Sequence, residues 1–407
     1  MFQYASNFLE SGIELSPLHL PLREFPYEFP ALPRPAFRGL PGLLSDSLPD
    51  RFGNAVIDAR LAAQGRSADS FNPVERLCYI GSRGMGALEF EPALLDPVER
   101  AAAINVEELV KLANRILGER AQLHGDLDGS DDQKVMQQIV RVGTSAGGAR
   151  AKAVLAWNPV TNEFRSGQVD AEEGFEQWLI KFDGISDNRD KELADPQGYG
   201  RIEYGYHLLA RELGIHMTDC RLHHEGGRSH FMTRRFDRTR AGVKLHLQSL
   251  GALAHFDFNQ PGAYSYEQAL QVMKRLGLPR EDLQQQVLRA IFNIVGRNQD
   301  DHVKNIAFLM DKNGSWRLSP AFDVIYAFAP TGDWTGRHQM SLNGKRDGFD
   351  RDDLLALAEL AGIKRRNAEE MIDRVVNGFR RWPAYAERAG VFPDQLEAIK
   401  ENLRTDL

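Results

Sequence analysis

The stretch "GRNQDDHVKNIAFLM", residues 296–310, decides how the rest of the chain is read. It opens with a glycine and ends in an apolar run, and between them stand adjacent carboxylates, a histidine, a lysine and two asparagines. Upstream, "EDLQQQVLRAIFNIV" places Leu283, Val287, Leu288, Ile291, Phe292 and Val295 along one helical stripe that stops at Gly296. Downstream, "IAFLM" has the composition and length of a strand. Desolvation-sensitive groups are thus packed between two hydrophobic elements, which is costly unless each group has a partner or a task.

A task is available. Asp300 and Asn305 have the spacing D-x-x-x-x-N used by the catalytic loops of protein kinases. The carboxylate would accept or orient the proton of an attacking hydroxyl, and the amide five residues on would reach a metal ion bridging phosphates. Lys304 could offset charge on a transferred phosphoryl group. Further on, "LSPAFDVIYAF" sets Asp323 in an apolar run, where a carboxylate needs a partner or a metal. Taken alone, "NQDDHVKN" could be a solvated polar turn between helix and strand, and Asp323 a helix N-cap or a member of a buried ion pair.

Earlier in the chain, "GTSAGGAR" is a small-residue loop followed by an apolar strand, with Arg150 and Lys152 beside it. It lacks the Lys-Ser/Thr of a Walker loop and the G-x-G-x-x-G of a dinucleotide fold, but its amides could cradle phosphates. Lys181 lies inside the strand "WLIKF", where a lysine must find an anion or reach solvent. Glu203 or Glu212, on the helix that follows, could hold it, and the spacing does not choose between them.

Bulk properties fit this picture. The 407 residues, 42% hydrophobic, suffice for a large core and more than one lobe. A net charge of −7 argues against a general nucleic-acid coat. Cys78 and Cys220 have no metal or redox spacing and suit a reducing compartment. No run approaches the roughly 20 apolar residues of a membrane span, and the start has no signal-peptide pattern, so a cytoplasmic location is expected. Residues 17–50 are too proline-rich for long helices. "ALEF" after the glycines of "GSRGMG" reads as a strand, and Ser265 with Gln268 forms a capping box. The divisions expected are 1–120, 121–245 and 246–407, with a subdomain boundary near "HGDLDGSDDQ".

Glycine loop, strand lysine, D-x4-N and late aspartate therefore stand in kinase order. With "IELSPLHLPL", "GLLSDSLPD", "SAGGARAK", "LIKFDG", "RRFDR", "NQDDHVKN" and "SPAFDV", the chain resembles the HipA family of bacterial serine/threonine kinases, the toxins of HipBA-type toxin–antitoxin pairs. The resemblance implies an α+β, two-lobed protein-kinase-like fold: a β-rich N-terminal lobe with an extra N-terminal subdomain, and a helical C-terminal lobe. It implies ATP and Mg²⁺ as cofactors. By motif, Asp300 would be the catalytic base, with Lys304 beside it, and Asn305 and Asp323 would hold Mg²⁺. Gly147, Gly148, Ala149, Arg150, Ala151 and Lys152 would form the phosphate loop, and Lys181 would contact the phosphates. Arg234, Arg235 and Phe236 would form the hinge against adenine, while His302, Phe322 and Asp323 would contact nucleotide. Ser145 matches the family's autophosphorylated serine, whose added charge of about −2 would expel the loop from ATP.

The implied partners are a HipB-like helix-turn-helix antitoxin, operator DNA reached through that antitoxin, and a protein substrate such as glutamyl-tRNA synthetase or another aminoacyl-tRNA synthetase, whose phosphorylation would arrest growth. Lys364, Arg365, Arg366, Arg380 and Arg381 would either touch DNA phosphates or form a solvated face. Family members usually begin with a further short β-element, so this chain is expected to lack the first strands of its N-terminal subdomain. Competing functions are a metal-dependent phosphohydrolase using Asp300, Asp301 and His302, a silent DNA-bound co-repressor, and a small-molecule kinase.

Overall fold

The computed structural model describes residues 1–94, 104–118, 150–167, 173–184, 197–239 and 241–407. The chain divides into two compact units, each assembled from separated segments. One comprises Met1–Asp46, Arg201–Thr218 and Leu245–Leu407; the other comprises Ser47–Gly200 and Asp219–Lys244. Among the described residues no helix is long and apolar enough to cross a membrane.

The second unit holds an antiparallel five-stranded sheet. Its strands are β1 (Lys152–Trp157), β2 (Phe164–Ser166), β3 (Glu176–Lys181), β4 (Cys220–Glu225) and β5 (Arg228–Arg234), in spatial order β2-β1-β3-β5-β4. β1 is buried at every position. Its residues Ala153 and Leu155, with Ile180 and Met232, join Phe52, Val56 and Leu109 from the Arg51–Ala63 and Val106–Gly118 helices in one core. Asp50 starts the first of these helices by accepting from the Gly53 N–H at 2.6 Å.

One strand expected from the sequence is absent, and one strand forms that the sequence reading did not place. "ALEF" forms no strand. The backbone groups nearby that a ladder would use are taken by the "RRFDR" side chains: the Gly86 N–H donates to Asp237 Oδ2 at 2.6 Å, while the Gly84 and Gly86 carbonyls accept from Arg235 and Arg238. Conversely, "CRLHHE" is a strand although it carries adjacent histidines. His223 sits opposite His230 across β4 and β5, both buried enough to lose their charge more readily.

The first unit holds a three-stranded antiparallel sheet, β6 (His246–Ser249), β7 (Ala307–Met310) and β8 (Trp316–Leu318), in the order β6-β7-β8. Helices Tyr266–Arg275, Arg280–Val295, Arg351–Leu360 and Arg365–Arg380 flank it in sequence, followed by Trp382–Ala389 and Pro393–Asn402, which the sequence reading did not place. The Ser265–Gln268 capping box is present in both directions. Phe292, Phe379, Tyr206 and Trp382 form a ring cluster with centroid separations of 4.7–5.9 Å.

Two predictions follow from charges within the second unit. Arg235 grips Asp237 through two bonds of 2.9 and 2.7 Å, and Arg238 adds a third at 2.9 Å, all out of solvent. Asp237→Ala removes the carboxylate that pairs with the buried Arg235 guanidinium and should lower unfolding free energy by about 3–5 kcal/mol, read from denaturant titration. His230 Nδ1 accepts from the Asp183 N–H at 3.0 Å, so the ring is neutral; burial first, then His223 and Arg228, lower its pKa to about 4 from 6.5. Only the unfolded chain binds that proton between these values, so the stability is full above pH 6.5 and is lost as pH falls towards 4. At pH 5 the loss should be about 2 kcal/mol. His230→Asn, whose side-chain oxygen can still accept, should flatten that dependence in urea melts at pH 7 and pH 5.

Candidate active site

The decisive stretch starts where a side chain is excluded. A Cβ on Gly296 would lie 2.3 Å from Phe379 Cζ, and the glycine's carbonyl accepts from the Tyr206 hydroxyl at 2.6 Å. The chain can therefore turn out of the Arg280–Val295 helix hard against the aromatic cluster. Arg297 follows with φ 53°, in the left-handed region that non-glycine residues rarely adopt. Residues 297–299 then run beside the segment after "SPAF": the Ala327 N–H donates to Arg297 O at 3.0 Å, the Gln299 N–H donates to Ala327 O at 3.0 Å, and Asn298 Nδ2 reaches Asp323 O at 3.3 Å. Asp323 itself has φ 52°. A strained aspartate held by a neighbouring loop is the kind of outlier that concentrates at functional sites.

The two adjacent carboxylates have opposite environments. Asp301 is 3% exposed and accepts from the Tyr266 hydroxyl at 2.6 Å, His338 Nδ1 at 2.8 Å and the Gln339 N–H at 2.8 Å. Burial works to raise its pKa, but His338, Tyr266 and Gln339 outweigh burial and hold the carboxyl below its ordinary value. Arg404 Nη1 lies 3.0 Å from His338 Nε2. A guanidinium can only donate, so Nε2 accepts and the ring proton sits on Nδ1, facing Asp301. Both Asp301 oxygens are thereby engaged by donors of the protein itself.

Asp300 is 43% exposed at its side chain. Its Oδ1 accepts from Trp334 Nε1 at 2.6 Å and lies 3.8 Å from His302 Nε2. Asn305 Nδ2 donates to the Asp300 carbonyl at 2.8 Å, closing the D-x4-N loop on itself and leaving the amide Oδ1 for a cation. Asn305, His302, Phe322 and Asp323 line one cavity of about 30 Å³, the room of a single small guest. Asn298 also lines it, and its buried Oδ1 has no hydrogen-bond partner among the described residues. Lys304 Nζ sits 4.6 Å from the Phe258 ring centroid.

In the other unit, Lys152 and Lys181 are directly opposed across β1 and β3 and are both buried. Like charges so placed repel unless anions intervene, and Asp50 Oδ2 stands 4.0 Å from Lys152 Nζ. Ala151 pairs its carbonyl with the Phe182 N–H, and Arg150 lies over the Tyr199 ring at 4.1 Å. Arg234 faces Glu176 at 3.5 Å, and Arg235 is engaged by Asp237; the amides of both donate to backbone carbonyls. Phe236 is half-buried. Ser145, Gly147, Gly148 and Ala149 lie outside the described residues, as does "HGDLDGSDDQ". Glu212 pairs with Arg381 at 2.8 Å on the surface, whereas Glu203 is buried. Arg365 and Arg366 pair with Glu369 and Glu370. The sequence reading missed Trp334, Tyr266, His338 and Arg404, because contacts between residues so far apart leave no local spacing to find.

Comparisons with known proteins agree with the order of these motifs. The HipA N-terminal domain family matches residues 1–91 and the HipA-like C-terminal domain family matches residues 144–382. Among solved structures, a chain from the Shewanella oneidensis MR-1 toxin–antitoxin complex of HipA, HipB and operator DNA is similar in fold over 98% of this chain and 88% of its own, at TM-score 0.65 and 18% identity. The Helicobacter pylori proinflammatory kinase CtkA matches 64% of this chain and 90% of its own at 13% identity; its TM-score of 0.39 carries no argument. Y4mE of Sinorhizobium fredii, a kinase by designation, is 27% identical over 130 residues. That match spans 30% of this chain and 31% of Y4mE.

The donors to Asp301 can be tested without any assay of function. Tyr266→Phe deletes a hydroxyl that bonds a buried carboxylate and leaves the ring. Unfolding free energy should fall by about 1.5–3 kcal/mol, the scale for a hydrogen bond to a charged group.

Proposed function

The chain belongs to the HipA family, and from that premise we propose that it is an ATP-dependent serine/threonine protein kinase acting as the toxin of a toxin–antitoxin pair. The observation that carries the reading is the division of labour within "NQDDHVKN". Asp301 is consumed by structure, while Asp300 is presented to solvent and Asn305 and Asp323 line one cavity.

These residues fit a magnesium nucleotide. An amide oxygen and a carboxylate are hard donors, and Mg²⁺ is commonly held by one or two such protein groups, with phosphate and water oxygens completing its shell. Asn305 and Asp323 would hold it, and the buried Asn298 Oδ1 on the same cavity is a further acceptor awaiting a donor or cation. When bound, the ion would neutralise charge on the phosphates. Asp300 would take the proton of the acceptor hydroxyl as the oxygen–phosphorus bond forms and the bond to ADP breaks. Lys304 would place positive charge near the transferred group. In the same proposal, Lys181, Lys152 and the loop from Gly147 through Arg150 serve the phosphates. Residues 234–236 serve adenine, and His302 and Phe322 serve the nucleotide.

The partners proposed are a HipB-like antitoxin, operator DNA reached through it, and an aminoacyl-tRNA synthetase as the protein substrate, in the cytoplasm. Self-phosphorylation at Ser145 would switch the activity off. Incubating the purified chain with γ-labelled ATP and Mg²⁺ should label it. Asp300→Asn should reduce the rate by about 10²–10⁴-fold, the span attributed to a positioned base, and Asn305→Ala and Asp323→Asn should abolish the dependence on Mg²⁺ concentration with the activity. Ser145→Ala should remove the label from the chain itself. Full labelling of the Asp300 variant would overturn the kinase assignment of this loop.

A further inference from the structure

Trp334 is absent from every motif considered above, yet its indole N–H makes a 2.6 Å bond to Asp300 Oδ1. Oδ2 accepts nothing among the described residues. A carboxylate 43% exposed at its side chain would otherwise exchange among staggered rotamers, only some of which present an oxygen to an incoming hydroxyl. We propose that Trp334 is a positioning residue for Asp300: its N–H fixes the carboxylate's rotamer and leaves Oδ2 as the atom that receives the acceptor's proton. This rests on the reading of Asp300 as the base.

The tryptophan is itself held by the loop it serves. The Gly336 N–H donates to Gly332 O at 3.0 Å, forming a tight turn with Trp334 at its centre. A Cβ on Gly336 would come within 2.4 Å of that oxygen, so the turn needs glycine there. Gln299 Nε2 donates to Thr335 O at 3.2 Å, and the Gln339 side chain donates to Trp334 O while its N–H binds Asp301. The residues on either side of Asp300 thus hold the segment that follows Trp334: Gln299 directly at Thr335, and Asp301 through Gln339. His302 lies 6.3 Å from the indole and 6.0 Å from Phe258, centroid to centroid. An indole recruited only to fill space would not need its one polar atom on the base while its carbonyl is held by Gln339, the residue whose N–H binds Asp301.

The test uses the full chain, γ-labelled ATP with Mg²⁺, and self-labelling as the readout. Maximum rate and the ATP concentration at half-maximum are measured separately. Trp334→Phe should lower the maximum rate about 10- to 100-fold, the scale of a small misplacement of a reacting group, with the half-maximal ATP concentration within about twofold of wild type. Replacing the indole by a benzothiophene, which keeps the shape and lacks the N–H, should do the same even if the phenylalanine variant folds poorly. A benzothiophene chain with the wild-type rate overturns the proposal, as does a loss carried entirely by weaker ATP binding. Asp300→Asn is run in parallel. If it labels normally, or if the wild type transfers nothing, the base assignment fails and this proposal with it. If Asp300→Asn is dead and the Trp334 variants are unaffected, only the tryptophan's role is lost.

Discussion

A carboxylate taken out of water must be repaid with donors by the protein itself, and Asp301 receives three: a phenol, an imidazole and a backbone amide. Leaving such a group uncompensated would cost several kcal/mol, so the loop can occupy its place only when Tyr266, His338 and Gln339 occupy theirs. Tyr266 is the first residue of a capped helix, which sets its height, and His338 is braced by Arg404. Arg404 in turn bonds Asp347 and the Ile294 carbonyl, returning to the helix that leads into the loop. The neighbouring Asp300 inherits this rigidity while keeping its own solvent exposure.

The second unit solves a similar problem with different chemistry. Asp237 is buried and stays charged because two guanidiniums and an amide face it; burial acts to raise its pKa, and Arg235, Arg238 and Gly86 reverse the sign. His230 meets burial in the opposite way, by giving up its proton and accepting a backbone N–H. The first device costs specificity of position and holds the glycine segment at 84–86; the second costs acid stability.

Much of the fold was legible in the sequence, because helical stripes, the Ser265 capping box and the strand around Lys181 depend on neighbours within one turn or one strand. Asp300, Asn305 and Asp323 were singled out by spacing alone; Asn305 and Asp323 line one cavity, and their roles are part of the proposal. Three features were not legible. The strand at Cys220–Glu225 was hidden by adjacent histidines, of which His223 is half-buried opposite His230 and His224 stays exposed. The strand expected at "ALEF" was cancelled by arginines some 150 residues later. The plain polar turn that "NQDDHVKN" resembled is a divided one, in which one aspartate belongs to the core and the other to the surface. Telling Asp300 from Asp301 required knowing where Tyr266 and His338 lie.

The Arg404 brace also bears on when the site can exist. Asp301 is synthesised roughly a hundred residues before the guanidinium that fixes His338. While a ribosome still encloses the later residues, the folded part of the chain has the carboxylate but an unbraced imidazole beside it. Domains form as units once their segments have emerged, so this loop would reach its working geometry only after residue 404 has left the ribosome. A protein made on ribosomes and proposed to act against translation would thereby be silent until that guanidinium had emerged.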